Sequence, residues 1–191
     1  MKELKLWWKK GWMKNLLFLG ILGVLFFTDA GEWLRIQFTS LTLSVPENEV
    51  NTSELPNSIH QFPLQLKAEN GDEFLLREHS GKPIFINFWA SWCVPCLAEF
   101  SLLVEFKSNF PDVEFMFITA EDQVAFDTFL AIKSNSLPYY RQLSRIPDEL
   151  SHGAIPATFL INEKGEVLYQ HIGAADWDDQ ATIDEVRELL K

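Results

Sequence analysis

The sequence predicts an α/β fold, a central mixed β-sheet flanked by helices, behind an N-terminal membrane segment. Three observations carry this. Residues 81–90 and 113–120, GKPIFINFWA and VEFMFITA, are unbroken apolar runs rich in β-branched and aromatic residues, the pattern of strands buried on both faces. Each is followed by a stretch of helical character, and a hairpin and an amphipathic helix close the chain. That succession implies a mixed sheet with helices on both faces. Finally, a basic, Trp-rich stub of 14 residues precedes 14 residues without a charge.

The stub, MKELKLWWKKGWMK, keeps the cytoplasmic side by the positive-inside rule, so the remainder is expected across the membrane. Trp7, Trp8 and Trp12 suit the headgroup region. The apolar run NLLFLGILGVLFFT (15–28) is short for a full span and has the length of a signal-peptide core as well. Thr28-Asp29-Ala30 offers small residues where a signal peptidase reads. Against cleavage, residues 31–43, GEWLRIQFTSLTL, continue as an amphipathic stretch suited to the outer membrane face. The expected organisation is a cytoplasmic stub and anchor or signal segment at 1–30, a juxtamembrane stretch and linker at 31–60, and a folded domain at 61–191. A single-pass anchor is favoured over secretion after cleavage. No cysteine follows the apolar run, which excludes a lipoprotein anchor.

Within the domain, FPLQLKAENGDEFLL (62–76) alternates on both sides of Asn70-Gly71, a hairpin signal. The strand at 81–90 leads into a helix over 94–110, whose Phe100, Leu103 and Val104 share a face while Glu99, Glu105 and Lys107 point elsewhere. The strand at 113–120 leads into a helix over 121–135 opened by acids. SLPYYRQL gives a short strand, and RIPDELSHG a turn of helix and a loop. ATFLIN (157–162) and EVLYQHIG (166–173) pair across a Glu163-Lys164-Gly165 turn. Residues 176–191 form the closing helix on Ile183, Val186, Leu189 and Leu190.

The net charge is -11, unevenly spread. Beyond residue 30, 11 basic side chains face 25 acidic ones, a body that repels phosphate backbones. No nucleic-acid partner is expected. The chain has only two cysteines, Cys93 and Cys96, in FWASWCVPCLAEF (88–100). They sit where a buried strand passes into a helix. Free N–H groups and the dipole at a helix N-terminus stabilise a thiolate, so Cys93 is the expected nucleophile. Cys96, one turn on, is placed to resolve a mixed disulfide. Pro95 fits the first helical turn, where its missing N–H costs nothing. Two other readings stand beside the redox one. A structural disulfide would close a loop too small to constrain the unfolded chain much. Half a zinc site has the right spacing but lacks a second pair among His60, His79, His152 and His171. No metal and no cofactor are expected.

FWASWCVPC, followed some sixty residues on by Ile155-Pro156-Ala157-Thr158 and a hairpin, resembles the thioredoxin superfamily, and within it the membrane-anchored TlpA/ResA-like thiol-disulfide oxidoreductases. The likeness covers 62–191 and the anchor plan. It implies a thioredoxin-like three-layer fold and a redox-active Cys93–Cys96 disulfide. It implies a cis peptide before Pro156, which would leave the Ile155 backbone to pair with an extended substrate. Trp92 matches a tryptophan that shields the site, with core packing as its plainer reading. Where related proteins bury an aspartate this chain has Asn87, which cannot accept a proton. Glu99 is then the replacement base for Cys96, against the alternative of a solvated helix residue. As that base, it should be at least partly buried with a raised pKa.

The resemblance favours a reductase in a bacterial cell envelope, acting on disulfides of exported proteins, cytochrome c precursors among them. A membrane thiol electron donor would keep it reduced. A disulfide oxidase or isomerase on the same fold, or a non-catalytic metal-binding relative, are the alternatives. A thiol peroxidase fits poorly, because Ala90 stands where it would carry a threonine.

Overall fold

The computed structural model describes residues 14–20, 63–79, 81–133 and 135–191. Residues 14–20 form a short helix that exposes Leu16, Leu17, Phe18 and Leu19. Among the described residues no helix is long and apolar enough to cross a membrane. The other expectations for residues 1–62 lie outside the described residues.

The elements run β1 (Gln65–Ala68), β2 (Glu73–Leu75), β3 (Ile84–Trp89), α1 (Val94–Ser108), β4 (Glu114–Thr119), α2 (Gln123–Ile132), β5 (Tyr139–Gln142), β6 (Ala157–Ile161), β7 (Val167–Ile172) and α3 (Gln180–Leu189). Short 3-10 turns occupy Leu76–His79 and Asp148–Leu150. The seven strands form one sheet in the order β2-β1-β5-β4-β3-β6-β7. β3, β4 and β5 run parallel, while the flanking pairs are antiparallel, which makes the sheet mixed as expected. The β1–β2 hairpin turns at Gly71, whose φ of 92° suits a residue without a side chain.

All six residues of β3 are buried. Phe85 and Trp89 enter one core, with Asn87 between them, and Ile84, Ile86 and Phe88 enter the other. This is the period-two alternation of a strand covered on both sides. The first core takes Leu97, Phe100, Leu103 and Phe106 from α1, Phe126 and Phe129 from α2, and Ile183 and Val186 from α3. Burying each of these side chains stabilises the fold by about 1.5–3 kcal/mol.

Helices on both faces were expected; instead, all three α-helices from residue 63 onward pack on one face. Among the described residues the other face is covered by the two 3-10 turns, through Leu76 and Leu150, and by Leu64 and Ile146. The cause is the strand order. The steps from β3 to β4 and from β4 to β5 go the same way along the sheet, and parallel crossovers are right-handed, so α1 and α2 must share a face.

Candidate active site

β3 delivers the chain to the site at its C-terminal end. There Cys93 N–H donates to the Ala90 carbonyl at 3.0 Å and the chain turns into α1, with Cys93 as the N-cap. Cys93 and Cys96 are joined as a disulfide. Cys96 N–H donates to Cys93 Sγ at 3.3 Å, the orphan helix N-terminal donor expected to stabilise a Cys93 thiolate. Pro95 lies in the first turn as expected. Cys93 is 4% exposed and Cys96 fully buried, so only the first sulfur is near the surface.

β6 pairs antiparallel with β3, Ala157 opposite Phe88, which brings the residues before β6 to the same end of the sheet. The Ile155–Pro156 peptide is cis, and the Ile155 carbonyl oxygen lies 3.8 Å from Cys93 Sγ. The Pro156 carbonyl accepts from Gly173 N–H at 2.8 Å. Neither polar group of the Ile155 backbone takes part in a backbone hydrogen bond among the described residues.

Glu99 is completely buried on α1, one turn beyond Cys96, so it is not the solvated residue its position off the apolar face suggested. Residues 96–100 are all buried, because the start of α1 is enclosed by the sheet and by the loop between β7 and α3. Three donors reach the carboxylate. Asn87 Nδ2 donates to Oε1 at 2.9 Å; Trp177 Nε1 and Ala175 N–H donate to Oε2 at 3.0 and 3.2 Å. No basic side chain is among them. Burial outweighs the three hydrogen bonds and pushes the Glu99 carboxyl from its ordinary 4.5 up to about 7. A group that exchanges its proton near neutrality is suited to general acid–base work.

Asn87 is also fully buried, and its Nδ2 donates a second bond to Thr158 Oγ1 at 3.0 Å. Its Oδ1 has no hydrogen-bond partner among the described residues. Trp92 is 71% exposed, so its plainer reading, core packing, does not hold. With His152, Gly153, Ala154 and Ile155 it borders an open depression of about 430 Å³. The backbone turn before it is held by Glu121, whose carboxylate accepts from Ser91 N–H and Ser91 Oγ, both at 2.7 Å.

Four site residues escaped the sequence reading. Trp177 and Ala175 are 78 and 76 residues from Glu99, and no spacing rule links them. A buried indole N–H needs an acceptor, but nothing in the chain says which. Thr158 sat inside a quoted motif, yet its bond to Asn87 needs the β3–β6 pairing. Glu121 read as an acid opening α2, whereas Asp122 is that N-cap and Glu121 turns to Ser91 instead. Among the described residues no group of three His, Cys, Asp or Glu side chains is placed to hold a metal ion.

Comparison with known proteins agrees with this geometry. The redoxin family model matches residues 46–190. The chain is 30% identical over 120 residues to the thiol-disulfide oxidoreductase ResA of Bacillus subtilis (strain 168), covering 61% of this chain and 64% of the relative. It is 30% identical over 135 residues to the thiol:disulfide interchange protein DsbE of Yersinia pestis, covering 67% and 66%. It thus spans somewhat less than two thirds of either relative. The crystal structure of the pneumococcal exposed lipoprotein thioredoxin Etrx1 from Streptococcus pneumoniae strain TIGR4 superposes with a TM-score of 0.56 at 21% identity, covering 63% of this chain and 97% of that one. That likeness establishes a thioredoxin-like α/β fold.

Proposed function

Because this chain belongs to the redoxin family, we propose that it is a thiol-disulfide oxidoreductase working through Cys93 and Cys96. The observation that carries the reading is the Cys93–Cys96 disulfide at the N-terminus of α1, beside the cis Ile155–Pro156 peptide. In the reducing direction the Cys93 thiolate attacks a client disulfide. A mixed disulfide forms, and the first client thiolate leaves and takes up a proton. The Cys96 thiol passes its proton to Glu99, and its sulfur then attacks Cys93. The second client thiol is released, and the protein is left with the disulfide seen here. The client gains two electrons, and an external dithiol must return them to the protein.

The direction proposed is reduction of disulfides in exported proteins, with a membrane thiol donor as electron source and cytochrome c precursors as one client class. The names of the ResA and DsbE relatives support thiol-disulfide exchange, while the direction, donor and client class rest on the resemblance of the sequence motifs to the TlpA/ResA-like group. The proposed location is a bacterial cell membrane, the domain outside the cytoplasm on a single-pass anchor. The basic stub, the apolar run at 15–28 and the exposed apolar side chains of helix 14–20 support it.

The test is to equilibrate the full chain with glutathione or dithiothreitol buffers and follow tryptophan fluorescence. A Cys93–Cys96 potential of about -270 mV or lower is expected for a reductase. A potential near about -120 mV would identify an oxidant and refute the direction. The absence of any reversible two-electron couple would refute the activity.

A further inference from the structure

The contacts around Glu99 reach beyond the residues that touch the disulfide. Oε2 is held twice from the β7–α3 loop, by the Trp177 indole and the Ala175 amide. Trp177 is itself fully buried, its ring set edge-on to Phe85 at 5.4 Å and tilted against Phe106 at 5.5 Å. The indole N–H is therefore aimed by packing that does not depend on Glu99. Oε1 is met by Asn87, whose Nδ2 spends one hydrogen on Glu99 and the other on Thr158. The same amide carries a buried oxygen without a partner.

An amide turned over by 180° exchanges two donors for two lone pairs at the same place. Against an ionised Glu99, the present orientation donates to Oε1 and to the Thr158 hydroxyl. Against a protonated Glu99, the turned amide would accept from the Oε1 hydroxyl and from the Thr158 hydroxyl. Both states satisfy the contact between Asn87 and Glu99. Other titratable groups flank the cradle. From β7, His171 and Tyr169 have ring centroids 6.3 Å from that of Trp177. Asp176 flanks the indole in sequence, α3 contributes Ile183 and Val186, and Cys96 lies one turn back on α1.

We propose that Trp177 is a positioning residue for the proton step: with Ala175 it fixes Oε2 in both protonation states, while the Asn87 amide turns over to match Oε1. This rests on the oxidoreductase reading above. Glu99 then gains and loses its proton without leaving its place beside Cys96. The β7–α3 loop becomes part of the reaction machinery through its hold on Glu99.

The first test is made on the oxidised full chain, which needs no thiol exchange. The indole N–H resonances are followed by proton–nitrogen correlation NMR from pH 5 to 9, with Trp177→Phe identifying the Trp177 signal. That signal is expected to shift with a midpoint near 7, the proton of Glu99, and to stay fixed in Glu99→Gln. A Trp177 signal that ignores pH across the range overturns the proposal. The second test is the rate at which Cys96 resolves a mixed disulfide formed on Cys93 with a small aromatic thiol. Trp177→Phe keeps an aromatic ring and removes the N–H donor along with part of the indole volume. Its pH midpoint should move up by about one unit, with roughly a fivefold loss at pH 7. In the Glu99→Gln background the same change should do nothing further. An unmoved midpoint, or an equal loss in both backgrounds, would make Trp177 a packing residue only. A wild type that shows no thiol exchange would refute the oxidoreductase reading, and the indole titration would still decide the cradle.

Discussion

Replacing Glu99 by Gln should make the protein more stable at pH 8 than the wild type, relative to their difference at pH 5. The unfolded chain gives up this proton near 4.5, while the folded chain holds it to about 7. Between those values only the folded state is protonated, so folding stability falls as pH rises. The stability that the group supplies is fully present below pH 4.5 and is lost as pH rises through 7. Each pH unit in the window costs about 1.4 kcal/mol, so the wild type should lose roughly 2–3 kcal/mol between pH 5 and 8 on this account. Glutamine carries no proton to lose. Its oxygen can accept from Trp177 and Ala175, and its amide can donate to Asn87 Oδ1, now without a partner, once Asn87 turns over. The assay is urea unfolding of the oxidised proteins at several pH values. Taking the difference between variant and wild type cancels the other titrating groups. A difference that stays constant from pH 5 to 8 would refute the argument, because it would mean that Glu99 titrates alike in both states.

Cys96→Ser should accumulate a mixed disulfide with a client on a non-reducing gel, while Cys93→Ser should trap none; equal trapping by both would reverse the assigned roles. In the reduced wild type, Cys93 should alkylate with a midpoint below the ordinary thiol value of about 8.5, and buried Cys96 should stay unmodified, as read by peptide mass spectrometry. Glu121→Gln weakens the hold on Ser91 N–H and Oγ; it should cost about 1–3 kcal/mol in thermal unfolding and speed amide exchange at Ser91. Gly173→Ala places a side chain at φ 111° with open space around it, so backbone strain alone should cost about 1–3 kcal/mol, and a neutral result would contradict that conformation.

Local rules sufficed for the elements and for the heart of the site. Unbroken apolar runs located β3 and β4, the Asn70-Gly71 turn located the first hairpin, and the strand-to-helix junction placed Cys93 and Cys96. These are short-range effects, because side-chain direction, turn conformation and orphan helix donors are set within a few residues. The face on which the helices lie was decided elsewhere, by the strand order, which is a property of pairing between distant segments. The burial of Glu99 was decided in the same way. Helical periodicity sees one face of α1, but the start of α1 is enclosed from several sides by the sheet and by a loop more than seventy residues away. Core packing fails as a reading of Trp92 for the converse reason: the turn held by Glu121 carries the side chain outward. The sequence by itself determined which two sulfurs can pair, since two thiols one helical turn apart lie within reach of each other. Only the tertiary structure decided which group can take the proton, because a carboxyl's affinity for it depends on the water it has lost and the donors it has met.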